Sequence, residues 1–387
     1  MNKNDKIIMK ILQITKYFYP NPGGIESHVL GIAEGLVKKE DNGKRNEVIV
    51  LASNHPKTVK FEIYNGIKIR RSSIFFTLFR DPFTPGMLID LLFREDYDLI
   101  HLHLPDPFNS FFAFFASILK GKPLIVTYHA DIIKDKFYHK LFKFLYNFFQ
   151  DFLLLKHAKV IIATSPNYAQ SSETLRKFKE KIKIVPNFVD TKKFNPNVNG
   201  KEIKKRYSLK NKKVILFLGR LIPYKGVEFL IKAFPKVKEK IKNSILVIAG
   251  DGPLKENLKA LCGKRKDILF IKPKNEEIPK LFAVSDVFVL PSITRQEAFG
   301  IVLLEAMSSG VPCISTKISG MPFVIDDAGI LVNPKNSKEL SKAIIKILSN
   351  ENLAKEFSKK ARKRVEENFT IERVVEKLMK IYKICMS

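Results

Sequence analysis

Short apolar runs rich in β-branched residues alternate with helix-patterned segments along this whole sequence, and that alternation admits few folds. Residues 11–14, 47–51, 98–102, 124–127 and 160–164 make a first series, and 214–218, 245–248, 268–271, 287–290 and 313–315 a second. Strand-length runs separated by helices predict parallel sheets covered on both faces, the α/β doubly wound arrangement. At 61–69 the pair Asn65-Gly66 sits at the centre of a strand-like pattern and predicts a tight hairpin. A chain of 387 residues suits two such domains. Residues 187–201, with Pro196 and Gly200 and no periodic pattern, read as the linker. Two Rossmann-like halves facing across a cleft are therefore expected, with ligand at the carboxyl ends of the strands.

Those strand ends carry the chemistry. Arg295-Gln-Glu-Ala-Phe-Gly-Ile-Val-Leu-Leu-Glu305 follows one apolar run, so Glu297 falls in a loop and Glu305 inside the next helix. The amides of Phe299, Gly300 and Ile301 would open that helix unpaired, and free N–H groups with the helix dipole favour an anion. Gly219-Arg220 ends another strand and Lys225-Gly226 opens a helix, so a guanidinium fork and an ammonium could clamp a diphosphate. Gly23-Gly24 follows the first strand, where glycines tolerate positive φ and let amides approach an anion. His129 follows the strand at 124–127, and Gly250-Asp251-Gly252-Pro253 forms a further strand-end loop. Taken singly, each feature has a plain alternative: dipole-favouring or solvated glutamates, surface cations, tight turns, and a packing histidine.

Together they resemble retaining glycosyltransferases of family 4, of GT-B architecture. Gly219-Arg-Leu-Ile-Pro-Tyr-Lys-Gly226, Ala249-Gly-Asp-Gly-Pro253 and the E-x7-E stretch from Glu297 to Glu305 are similar to that family's C-terminal motifs. Pro20-Asn-Pro-Gly-Gly-Ile-Glu26 and Thr127-Tyr-His129 are similar to its N-terminal ones. The resemblance implies an acceptor-binding domain at 1–190 and a nucleotide-sugar-binding domain at 191–369, with 370–387 packing back on the first. It implies that Arg220 and Lys225 neutralise the diphosphate and that Glu305 binds the ribose hydroxyls. Glu297 and the amides of Phe299 and Gly300 would hold the sugar, with the Ile301 amide near phosphate. Gly23 and Gly24 would approach the phosphates, His129 the sugar, and Gly219, Gly250 and Asp251 would line the donor site. Such enzymes need no metal or other cofactor beyond the nucleotide-diphosphate sugar as co-substrate, and the sequence shows no DxD motif or metal-ligand spacing. The family's Gly after the third C-terminal strand is replaced here by Phe270-Ile-Lys-Pro-Lys274, which leaves the base open. GDP-mannose or a UDP-hexose is the expected donor and a cell-envelope glycan or polyprenol-linked lipid the expected acceptor.

The formal charge of +29 governs which surfaces the chain meets. Lys and aromatic residues interleave at 132–157, a pattern that suits either an anionic membrane surface or an amphipathic core helix, and the Phe-rich 72–93 could add to the first. The densest apolar run, 108–119, is broken by Asn109, Ser110 and Ser117 and is too short to span a bilayer. Cys262, Cys313 and Cys385 are odd in number and lack metal spacing, as in a reducing compartment. A cytoplasmic protein, peripheral at the inner membrane face, is expected. A nucleic-acid-binding protein is the alternative that the charge prompts, but no RNA- or DNA-binding signature accompanies it. A nucleotide-sugar epimerase on the same scaffold would lack the paired glutamates.

Overall fold

The structure, a computed structural model, describes residues 7–21, 23–41, 43–78, 81–131, 146 and 148–387. The chain forms two compact units: 1–186 together with 371–387, and 187–370.

The first unit is built on a nine-stranded sheet. Its strands are β1 (Ile7–Thr15), β2 (Glu40–Asp41), β3 (Lys44–Ser53), β4 (Phe61–Tyr64), β5 (Ile67–Ser72), β8 (Leu99–Leu104), β9 (Leu124–Tyr128), β10 (Val160–Ala163) and β11 (Ile182–Ile184), while β6 (Phe76–Leu78) and β7 (Asp81–Phe83) pair separately. The order is β11-β10-β9-β8-β1-β3-β5-β4, with β2 beside β3. All pairs are parallel except β2 with β3 and β4 with β5. The hairpin between β4 and β5 turns at Asn65 and Gly66, both at positive φ, as a two-residue turn of this type demands.

Helix α1 (Gly24–Lys38) buries Val29, Ile32, Ala33 and Leu36, the spacing of a one-faced amphipathic helix. Helix α2 (Pro107–Lys120) starts at Asp106, whose carboxylate accepts from the Asn109 amide, and stops at the left-handed Gly121.

The second unit holds a six-stranded, wholly parallel sheet: β12 (Lys213–Leu218), β13 (Ser244–Ala249), β14 (Ile268–Ile271), β15 (Val287–Leu290), β16 (Cys313–Thr316) and β17 (Gly329–Val332). Its order is β14-β13-β12-β15-β16-β17. Helices α3 (Val227–Lys240), α4 (Ile301–Ser308), α5 (Ser337–Leu348) and α6 (Glu351–Asn368) belong to this unit, and α7 (Ile371–Met386) to the first.

Residues 187–201, read as the linker, open the second unit: Val189 and Phe194 join its core, and the Val189 amide donates to the Phe369 carbonyl at 3.0 Å. Unpatterned sequence here means irregular backbone held by side chains, with Arg362 donating to the Phe194 carbonyl at 3.0 Å. Within 132–157, residues 132–145 and 147 lie outside the described residues. Phe149–Leu154 forms a π-helical turn and Leu155–His157 a helical turn, with Gln150, Asp151, Leu154 and Leu155 buried. That part is half core, as the amphipathic alternative requires.

Helix α7 closes the first unit through Val374, Val375, Leu378 and Tyr382. The Tyr382 hydroxyl meets His101 Nδ1 at 2.6 Å, while His101 Nε2 meets Thr127 Oγ1 at 2.6 Å. Tyr382→Phe leaves a fully buried imidazole nitrogen unpartnered and should lower stability by about 1–3 kcal/mol, read from urea unfolding.

Candidate functional site

In the second unit the chain runs from β12 outward through β13 and β14, then returns to β15 and proceeds the other way. The strand order therefore reverses between β12 and β15, and a doubly wound sheet opens a crevice at the carboxyl ends of such a pair. Gly219 and Arg220 leave β12 there, and Ser292 to Glu297 leave β15. The two loops are joined where the Ile293 amide donates to the Tyr224 carbonyl at 2.8 Å.

Lys225 and Glu297 are both buried, and they form an ion pair at 2.5 Å. The Ser292 hydroxyl donates to the same Glu297 oxygen at 3.0 Å. The Lys225 ammonium also lies over Gly219, where a β-carbon would stand 3.8 Å from Nζ. Arg220 is exposed and has no ion-pair partner among the described residues. The second loop, at 250–253, is zipped to the first: Leu221 donates to the Asp251 carbonyl at 2.9 Å, and Leu254 donates back to the Leu221 carbonyl at 3.1 Å. Gly250 has φ +147, and a β-carbon there would stand 1.9 Å from the Gly219 carbonyl oxygen, so only glycine fits. The Asp251 carboxylate faces solvent, paired with Lys272 at 2.9 Å and accepting from the Gly252 amide, and its pKa is held low chiefly by the Lys272 hydrogen bond.

Gly300, left-handed at φ 78, caps α4. The Phe299 and Gly300 amides make no hydrogen bond among the described residues. The Phe299 side chain is core, 6.1 Å ring to ring from Phe369, so this residue can offer a ligand only its backbone. Ile301 is the first residue of the helix. Glu305 is half-buried one turn on, and burial pushes its carboxyl up to about 7 while Lys193 pulls the other way. Two cations and free helix-start amides around one strand-order reversal can hold a diphosphate, and the two carboxylates can accept from hydroxyls on either side of it.

The first unit has its own reversal between β1 and β8. Gly23 is extended at φ 179, not left-handed as expected of it. A β-carbon there would lie 2.0 Å from Glu26 Oε2, so the Glu26 carboxylate, which accepts from Asn21 Nδ2 at 3.1 Å through its other oxygen, would have to move. Around Gly24 there is open space, with nothing within 4 Å of a β-carbon.

His129 is buried within a group of imidazoles that motif spacing does not reveal. His103 Nδ1 meets His129 Nε2 at 3.1 Å, His28 lies edge-on to His129 at 5.1 Å, and His101 is 4.4 Å from His103 ring to ring. The signal that could have found them is His101-x-His103 on a strand, which puts both rings on one face. Burial lowers the pKa of all four, to about 3 for His101 and about 4 for His129. They are neutral, and no such cluster is arranged to hold a metal among the described residues. His103 Nε2 has no partner among the described residues. An orphaned buried N–H is rarer than an under-satisfied acceptor, so the His103 proton belongs on Nδ1, donating to His129. His129 then carries its own proton on Nδ1.

Two family models cover most of the chain: one described as Glycosyltransferase Family 4 over residues 22–193, and one as Glycosyl transferases group 1 over 199–364. An uncharacterised glycosyltransferase of Methanocaldococcus jannaschii is 30% identical, over 98% of this chain and 99% of that protein. O-antigen chain mannosyltransferase C of Escherichia coli is 28% identical, over 97% and 98%. HepE of Anabaena, solved with UDP and glucose, superposes with a TM-score of 0.75 at 19% identity, over 97% of this chain and 99% of that one. The chain belongs to glycosyltransferase family 4. Its fold is GT-B and it is a glycosyltransferase.

Two outcomes follow from these side chains. Lys225→Met or Glu297→Gln alone should cost about 3–5 kcal/mol by stranding a buried partner, and the double variant less than their sum, in a double-mutant cycle of unfolding free energies. The histidines have folded pKa values below their unfolded value near 6.5, so the unfolded state binds more protons in acid. Their stabilising contribution should be whole above about pH 6.5 and be lost progressively as pH falls below it, seen as a falling Tm.

Proposed function

We propose that this enzyme moves a hexose, with retention, from a nucleotide-diphosphate sugar to a glycan or lipid-linked acceptor in cell-envelope or glycoconjugate synthesis, without a metal. The observation that carries the reading is the grouping of Lys225, Glu297, Arg220 and the free Phe299 and Gly300 amides at one strand-order reversal. Arg220 and Lys225 take the diphosphate, the Ile301 amide supports a phosphate oxygen, Glu305 accepts from the ribose hydroxyls, and Glu297 accepts from the sugar. Gly219 and Gly250, with the backbone around Asp251, let the donor lie against the loops. The first unit takes the acceptor and supplies Gly23, Gly24 and His129.

In the transfer the bond from the anomeric carbon to the diphosphate oxygen breaks and one to the acceptor oxygen forms on the same face. The acceptor proton passes to the departing phosphate. Fixed cations that stabilise the leaving charge supply the main catalytic effect. The mannosyltransferase of Escherichia coli supports mannose as the sugar of the donor, and the UDP and glucose in HepE support a UDP-hexose. The O-antigen role of the first supports an envelope glycan or its lipid-linked precursor. The high positive charge supports work at the inner, anionic face of a membrane.

Thermal-shift titration with GDP, UDP, ADP and dTDP tests the donor half. One nucleotide should raise Tm by several degrees. Arg220→Ala, at an exposed site, should melt as wild type without ligand and respond less. Glu305→Gln should melt higher than wild type at pH 8, because it removes a half-buried carboxyl whose pKa is raised to about 7, yet lose most of the nucleotide response. No response to any of the four would sink the reading.

A further inference from the structure

Helix α2 has two apolar faces. One is core, with Phe112, Ala113, Phe114 and Ala116 buried. The other carries Phe111, Phe115, Ile118 and Leu119, at i, i+4, i+7 and i+8, which places them in one stripe, 38–67% exposed. This stripe does not stand alone. Phe111 meets Phe115 at 4.6 Å and Phe149 at 5.4 Å, which joins it to the π-helical turn where Phe152 projects. At the start of α2, Phe108 meets Phe76 at 6.2 Å, which joins it to the hairpin of β6 and β7. Beside that hairpin Phe75 is 79% exposed, and Phe93, on a neighbouring helical turn that touches α2, is 81% exposed. Scattered exposed apolar residues need no explanation, but a connected aromatic surface from four chain segments does.

Charge selects its occupant. Residues 156–183 leave the π-helical turn and carry seven Lys or Arg against two Glu. Lys156 is exposed, and its carbonyl accepts from Lys181 Nζ at 2.5 Å, which holds a second ammonium beside it. The acid within the aromatic turn, Asp151, is buried and paired with Lys177 at 2.6 Å. The flank is therefore cationic. A second copy of the chain would bring a like-charged flank against it, whereas a bilayer with anionic headgroups meets both the rings and the lysines. No described helix is long and apolar enough to cross a membrane, so such contact is from one side.

We propose that the exposed face of α2, with Phe75, Phe93 and Phe152 around it and the 156–183 flank beside it, docks the first unit onto an anionic lipid surface. This rests on the membrane side of the function above and not on the donor chemistry. Rings enter at the headgroup boundary while the lysines stay among the phosphates.

The test is co-sedimentation of the full chain with vesicles of phosphatidylglycerol and phosphatidylcholine, and with phosphatidylcholine alone. Wild type should bind the anionic vesicles, more weakly in high salt. A Phe75→Ser/Phe93→Ser/Phe111→Ser variant, altered only at exposed sites, should bind at least about tenfold less while keeping the wild-type Tm and the wild-type thermal response to nucleotide. Lys156→Gln/Lys179→Gln/Lys183→Gln should weaken binding to anionic vesicles and leave that to phosphatidylcholine unchanged. Absence of vesicle binding by wild type, equal binding by the serine variant, or a wild-type dimer in sedimentation velocity that the serine variant disperses without any vesicle binding would each overturn the proposal. Loss of nucleotide response with vesicle binding intact would overturn only the donor assignment.

Discussion

A buried ammonium and a buried carboxylate hold the second unit's site together. Neither Lys225 nor Glu297 could stay charged in that position alone, since an unpaired ion away from water carries a penalty of several kcal/mol. Their contact joins the loop leaving β12 to the loop leaving β15, the two strands between which the order reverses. Ser292 holds the carboxylate from the other side, donating to the oxygen that Lys225 meets. The 250–253 loop joins only because Gly250 brings two backbones together. The crevice is thus preformed, with its polarity built in, and Arg220 adds an exposed cation beside the buried pair.

Much of this could be read in the sequence, because the relevant signals are local. Apolar runs of three to five residues became strands, all five of the second series within one residue of the expected limits: 213–218, 244–249, 268–271, 287–290 and 313–316. Asn65-Gly66 made its turn because two-residue hairpins demand positive φ. Glu297 fell before α4 and Glu305 within it, since a glycine at the cap fixes where the helix starts. What escaped was non-local. The strand at Gly329–Val332 has no flanking pattern and exists because β16 offers it an edge. Residues 187–200 look like a tether because their order comes from Arg362 and Ser308, more than a hundred positions away.

The histidines mark the same divide. His129 was visible as a strand-end residue, but its partners come from α1, β8 and, through His101, α7. Only the folded sheet shows that a polar strip runs under α1 and α7, with the Gln13 amide fully buried and without a partner among the described residues. Likewise, α2 read as one dense apolar run. A sequence gives the composition of a helix, and the fold decides which of two apolar faces goes inside.

The path of the chain between its units bears on the order of its making. It leaves the first unit after Pro186 and returns only at Ile371. The second unit is therefore an uninterrupted stretch, its two ends tied by the Val189–Phe369 hydrogen bond, and is whole before synthesis ends. The first unit, begun earlier, must wait with His101 and the apolar side of α1 uncovered until residues 371–387 follow the second unit out of the ribosome. Of the two units, the one begun first is completed second, against the usual vectorial sequence.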